Sequence, residues 1–182
     1  MPRLHEKYKT EIVPKLKEQL GITNTLATPR MLKVVLNVGV GRHTKEQAFV
    51  DNVEKTLTKI TGQRPVKTKA KKSIASFKVR EGQIIGVKVT LRGKRMYDFI
   101  EKLVTISFPR IRDFRGISSK LVDKQGNMTI GFKEHIAFPE IKVDEIDNVH
   151  GLEICLDSTA HDRETGLALF TLLGFPFKPE EK

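Results

Sequence analysis

From Met31 to Gly41 the chain alternates: Leu32, Val34, Leu36, Val38 and Val40 form an apolar series, with Lys33, Val35, Asn37 and Gly39 between them. Alternate residues of a strand point to opposite faces, so this period of two predicts a strand with one dry face and one mixed face. The pattern recurs twice. Val66, Thr68 and Ala70 interleave with Lys67 and Lys69, and Ile85, Val87, Val89 and Leu91 interleave with Gly86, Lys88, Thr90 and Arg92, predicting two more strands whose wet face is basic. "NMTIGFK" and "GLEICLDSTA" read as further strands, separated by the irregular "EHIAFPEIKVDEIDN".

Elsewhere the apolar residues repeat at helical spacing. Leu4, Tyr8, Ile12, Leu16 and Leu20 predict an amphipathic helix over 3–20, kinked by Pro14 and ended by Gly21. Thr44 and Gln47 form a capping box ahead of a helix over 45–61 that carries Val50, Val53, Leu57 and Ile60 on one face and stops at Gly62. Met96, Phe99, Ile100, Leu103 and Ile106 predict a helix ending before Pro109, and Asp162 caps a last one running through Leu169, Leu172 and Leu173 to Gly174. Helices interspersed with alternating strands point to an α+β fold, a mainly antiparallel sheet with helices packed on one face and the other face open. A chain of 182 residues suits one domain over 1–182, with 71–83 as a long projecting hairpin loop. If the three dry faces share a side, Lys33, Asn37, Lys67, Lys69, Lys88, Thr90 and Arg92 all project from the other and make a polar platform.

Charge says what such a platform would meet. The net charge is +11, and it is polarised: residues 1–133 hold 29 Lys and Arg against 11 acids, whereas residues 134–182 hold 4 against 11. One basic surface suited to a polyanion, and one acidic end turned away from phosphate or towards a basic neighbour, follow from that split. Lysines and arginines neutralise phosphates, while Asn and Thr hydrogen-bond sugar hydroxyls and base edges, which is the chemistry of folded-RNA recognition. The alternative is an ordinary solvated face. In the loop, Lys71, Lys72, Lys78 and Arg80 stand with Ser73, Ser76, Ile74 and Phe77. Ile74 and Phe77 are expected to give the loop its shape, with stacking against nucleotides as the alternative.

Other chemistries find little support. "NVGVGRHTK" places Gly39 and Gly41 between a strand and a helix, but Thr44 stands where a dinucleotide-binding turn needs its third glycine, so a tight turn is the expected role. "GISSK" is not a nucleophile elbow, and the five histidines lack metal-ligand spacing. No catalysis, metal or cofactor is expected. A small RNA-processing enzyme and a basic module for acidic proteins are the competing classes. The single cysteine, Cys155, lies in an apolar run, cannot form an internal disulfide and is expected to be buried. No apolar run approaches the roughly 18 residues of a membrane span. The N-terminal "MPRLHEKYKTEIVPK" has neither the apolar core of a signal peptide nor the acid-poor composition of a transit peptide, so a cytoplasmic location is expected.

Several ordered strings together resemble one family: "VVLNVGVG", "ITGQRPVKTKAKKSIASFKVREGQIIGVKVTLRG", "FPRIRDFRG", "GNMTIGFKEHIAFPEI" and "LLGFPFK". They are similar to the bacterial-type large-subunit ribosomal protein L-five family, over about residues 3–179. Met128, where that family often has an aromatic residue, and the loose "STAHDRETGLALF" depart from the pattern near the C-terminal end. The resemblance implies an α+β protein of the ribosomal central protuberance that binds 5S rRNA beside 23S-type rRNA, with Asn37, Gln63 and Thr90 at the matching contact positions. It also implies that the 71–83 loop reaches P-site tRNA. Arg110, Arg112 and Arg115 would then face the small subunit or neighbouring protuberance proteins.

Overall fold

The computed structural model describes residues 3–43, 46–141 and 148–178. Among these lie five α-helices, Arg3–Lys7 (α1), Val13–Leu20 (α2), Gln47–Thr61 (α3), Gly93–Lys102 (α4) and Arg163–Leu172 (α5). Five strands, Met31–Gly39 (β1), Val66–Lys69 (β2), Ile84–Leu91 (β3), Met128–Phe132 (β4) and Leu152–Ser158 (β5), form an antiparallel sheet in the order β2-β3-β1-β5-β4. The expected α+β architecture is present. No helix among the described residues is long and apolar enough to cross a membrane.

Two prolines shape the helices in the same way. A helical proline denies one amide hydrogen, and its ring crowds the carbonyl four residues back. Ahead of Pro14 the chain widens into a π-turn over Tyr8–Ile12, and ahead of Pro109 into another over Leu103–Ser107. The crowded carbonyls belong to Thr10 and Thr105, and each threonine turns its hydroxyl onto the carbonyl of Glu6 or Glu101, at 2.9 and 2.7 Å. The irregularity expected at Pro14 is therefore one wide turn within a helical run. Helix ends follow the sequence closely: Gly21 and Gly62 both take φ of 64°, and Asp162 accepts the Thr165 amide at 2.9 Å. Thr44, half of the expected capping box, lies outside the described residues, and Glu46 precedes α3 without a side-chain cap.

The chain packs as two compact units. One comprises Met1–Val34, Leu91–Ile130 and Cys155–Lys182. Its core gathers Leu16, Ile100, Leu103, Phe108 and Phe170, with the Phe175 ring set edge-on to those of Phe108 and Phe170 at 6.0 and 5.5 Å. Cys155 on β5 is half-buried rather than buried. Ile106, expected on the buried face, is 43% exposed because the π-turn rotates it outward.

The other unit comprises Val35–Thr90 and Gly131–Ile154. Here Val50, Val53, Leu57 and Ile60 of α3, Leu36 and Val38 of β1 and Val87 and Val89 of β3 are all core residues nearly inaccessible to solvent. Each such side chain contributes roughly 1.5–3 kcal/mol by leaving water. The dry series of β1 holds from Val34 to Val40, but Leu32 is 47% exposed, and Met31 is buried in its place.

Two histidines are buried in this second unit. The His135 and His150 rings stack at 4.1 Å, and the His150 amide donates to His135 Nδ1 at 3.2 Å. Burial, reinforced by the neighbouring His135, brings His150 down from 6.5 to about 4; burial likewise lowers His135. The unfolded chain therefore binds protons that the folded one refuses between those values. Stability is expected to fall by about 2–3 kcal/mol as pH drops through that window, measured by urea unfolding near pH 7 and near pH 4. His150→Phe should flatten the dependence.

Candidate nucleic-acid interface

In the second unit the open face of the sheet centres on Gly86. A Cβ built there would lie 2.7 Å from Thr68 Oγ1, 3.3 Å from the Val38 carbonyl and 3.7 Å from Asn37 Oδ1. Three strands thus bring Asn37, Thr68 and the bare Gly86 backbone together, and any side chain at 86 would have to displace them. Thr90 and Lys88 continue the same face of β3, because residues two apart in a strand point the same way. Gln63, in the turn after α3, donates Nε2 to the Thr90 carbonyl at 3.1 Å, which fixes it beside that end of the face. Within the described residues the Asn37 amide and the Thr68 and Thr90 hydroxyls make no hydrogen bond to the protein, and Lys88 is exposed and unpaired. These polar groups sit half-buried on a rigid sheet with their bonding capacity unused.

Register corrects the sequence reading of β2. Val66 pairs with Lys88 and Lys67 with Val87. Directly paired residues of antiparallel strands share a face, so Val66 and Thr68 lie on the open side with Lys88, and Lys67 lies on the side of buried Val87. Val66 is accordingly 63% exposed. The Lys67 ammonium meets Asp51 Oδ1 at 2.7 Å and Glu54 Oε2 at 3.0 Å, both on α3. The hydrogen bonds to Lys67 hold both carboxyls below their usual range, and those same carboxylates raise Lys67. Lys67 is therefore a strut between strand and helix, not a platform cation. Val66, Thr68 and Gly86 are the positions on this face that the sequence reading assigned to the interior or left out.

The remaining basic positions divide. Lys69, next to a register shift between Thr68 and Lys69, is exposed. In the first unit Lys33 is ion-paired with Asp157 at 2.9 Å, and Arg92 is exposed immediately before α4. Arg110, Arg112 and Arg115 are also exposed, on a loop pinned at both ends: the Phe114 ring stacks on Phe108 at 5.3 Å, and the Ile117 amide donates to the Pro176 carbonyl at 2.7 Å.

The 71–83 segment is shaped by its backbone. Ile74 and Val79 exchange two backbone hydrogen bonds, each amide donating to the other's carbonyl at 2.9 and 3.2 Å, Ser73 Oγ accepts from the Glu81 amide at 2.9 Å, and Gly82 donates to the Ala70 carbonyl at 3.0 Å. Ala75–Phe77 is a tight turn closed by Lys78 at φ of 53°. Phe77 is 73% and Ile74 47% exposed, so neither packs the loop against itself as expected; both are presented outward. Lys71, Lys72, Ser76 and Arg80 are exposed or nearly so around them.

Among the described residues no group of three His, Cys, Asp or Glu side chains is placed to hold a metal ion. The second unit thus offers an open sheet face with uncharged polar groups at its centre and exposed cations, Lys69 and Lys88, beside them. The model of the family described as "Ribosomal protein L5" matches residues 24–80, and the companion model for the C-terminus of that ribosomal family matches residues 84–177. Relatives named "Large ribosomal subunit protein uL5" are 51% identical in Halothermothrix orenii over 97% of this chain and 99% of the relative. In Francisella tularensis subsp. novicida the figure is 49%, and in Acidovorax sp. (strain JS42) 51%, each over 98% of this chain and 99% of the relative. With both family models matched in order and half the residues identical along nearly the full length, the chain belongs to the L5 family of ribosomal proteins.

Proposed function

We propose that this chain, a structural constituent of the large ribosomal subunit rather than an enzyme, binds 5S rRNA on the open sheet face and attaches it to the central protuberance. The observation that carries the reading is the set of polar groups left unpaired on this face, Asn37 and Thr68 at Gly86 and Thr90 further along β3 beside Gln63, with Lys88 between them. Uncharged donors and acceptors on a rigid surface read the shape and 2′-hydroxyls of folded RNA, and marginal cations such as Lys69 and Lys88 hold its phosphates. The 182 residues act as one RNA-binding unit. The 71–83 loop is a second contact, to P-site tRNA, and Arg110, Arg112 and Arg115 face the small subunit or a neighbouring protuberance protein.

Two lysines on adjoining strands test the platform. Removing a phosphate contact lowers the slope of log affinity against log salt by about 0.7–0.9. Lys88→Ala should produce that change in filter-binding titrations with 5S rRNA, and Lys67→Ala should leave the slope alone because its charge is spent on α3. The reverse result would place the binding surface on the helix side. For the loop, replacing Lys71, Lys72 and Lys78 together by Ala should leave 5S rRNA affinity intact and weaken tRNA retention on assembled ribosomes. A parallel loss of 5S binding would merge the two sites.

A further inference from the structure

A groove of about 1360 Å³ lies within the second unit, between the turn that follows β1, the 71–83 loop and residues 148–151. It exceeds the roughly 300–1,000 Å³ of a small-molecule pocket and suits a segment of chain. Three large apolar side chains that are otherwise unaccountably exposed, Ile74 at 47%, Phe77 at 73% and Val149 at 53%, all line it. Beside them the His43 ring lies tilted against Phe49, the centroids 4.4 Å apart. Gly39 and Gly41 line it as well. Neither takes a left-handed φ, and a Cβ on either would meet nothing within 4 Å, so the turn itself does not require glycine there. What their bareness does provide is an unobstructed groove wall.

Charge selects the occupant. Lys71, Lys72 and Lys78 line the groove, and among the described residues none of them is ion-paired. The lining carboxylate, Glu46, is held by His43 Nδ1 at 3.2 Å. Apolar and aromatic surfaces alternating with free ammonium groups form the usual platform for a single nucleic-acid strand, whose bases stack while its phosphates meet the cations. The geometry points to this groove as a site for a short unpaired RNA segment, whose bases are sandwiched between the loop's Phe77 and Ile74 on one side and Val149 on the other. The site is separate from the sheet face, and it rests on the reading of the loop as an RNA contact.

The test uses the full chain, a fluorescein-labelled twelve-nucleotide single-stranded RNA, and the blunt duplex of the same sequence. The single strand should bind more tightly than the duplex, whose bases are already stacked. Phe77→Ala should weaken the single strand by about ten-fold, the loss of one base-stacking surface, and Val149→Glu, which sets a carboxylate against the strand's phosphates, should weaken it at least as much, with 5S rRNA affinity unchanged in both. Both side chains are more than half exposed, so neither change disturbs the core. Strand and duplex binding alike, full single-strand affinity in Val149→Glu, or equal competition by an acidic peptide would overturn the proposal. If 5S rRNA binds while the strand does not, the groove assignment alone fails; if neither binds, the RNA-platform reading fails with it.

Discussion

Removing the Asn37 amide and the Thr90 hydroxyl together is expected to weaken 5S rRNA binding by about 2–6 kcal/mol, double the roughly 1–3 kcal/mol for leaving one desolvated polar partner unpaired. Both side chains are half-buried on the open face and bond to nothing within the described protein, so alanine removes an interaction with a partner and none with the fold. The bond from Gln63 to the Thr90 backbone carbonyl survives the substitution. Thermal unfolding should accordingly be unchanged, and the slope of affinity against salt should be that of the wild type, since no charge is lost. A filter-binding series at several salt concentrations separates these quantities. Wild-type affinity in the double variant would remove the sheet face from the RNA site.

Gly166→Ala is expected to destabilise the first unit by about 3 kcal/mol or more, at the upper end of what overpacking costs. By propensity the change should help, because Ala is favoured over Gly by about 1 kcal/mol inside a helix and Gly166 lies within α5. Space decides otherwise. The added methyl would lie 2.5 Å from Gly126 Cα and 2.6 Å from the Gly126 carbonyl oxygen, against backbone that cannot rotate away. Gly126 is itself closed in: its own Cβ would meet Ala160 Cβ at 2.4 Å. Ser158 Oγ donates to the Gly126 carbonyl at 2.7 Å, which holds this segment against β5. Differential scanning calorimetry should show a melting temperature lower by about 6–12 °C, at about 2–4 °C per kcal/mol for a chain of this size. An unchanged or raised value would mean that the loop before β4 yields.

The two units were not legible in the sequence, because each is assembled from separated stretches: Val35–Thr90 closes with Gly131–Ile154, and the other unit takes what flanks them. Local features were. Gly21 and Gly62 ending helices, Asp162 starting one, and the periods of α3, of β1 from Val34 and of β3 from Val87 are set by neighbouring residues, and the structure keeps them. The loop's shape departs from the expectation for a related reason: an aromatic in a basic stretch suggests local packing, whereas short-range backbone hydrogen bonds already supply the shape and leave Phe77 outward.

The platform shows the division most sharply. Asn37, Lys88 and Thr90 lie between residues that the core buries, so hydrophobic periodicity alone assigns them to the open side. In β2 the alternation of Val66, Lys67, Thr68 and Lys69 is equally regular, yet its phase is inverted. Period two determines which residues share a face and leaves open which face is which. At a sheet edge little apolar area is gained by turning Val66 inward, whereas Lys67 finds Asp51 and Glu54 waiting on α3. The sequence by itself determined the strands, the helix ends and the basic character of the surface, all consequences of neighbours along the chain. Strand order, the strut at Lys67 and the meeting of Asn37, Thr68 and Gly86 were decided by the tertiary structure, because each depends on which distant segment lies opposite.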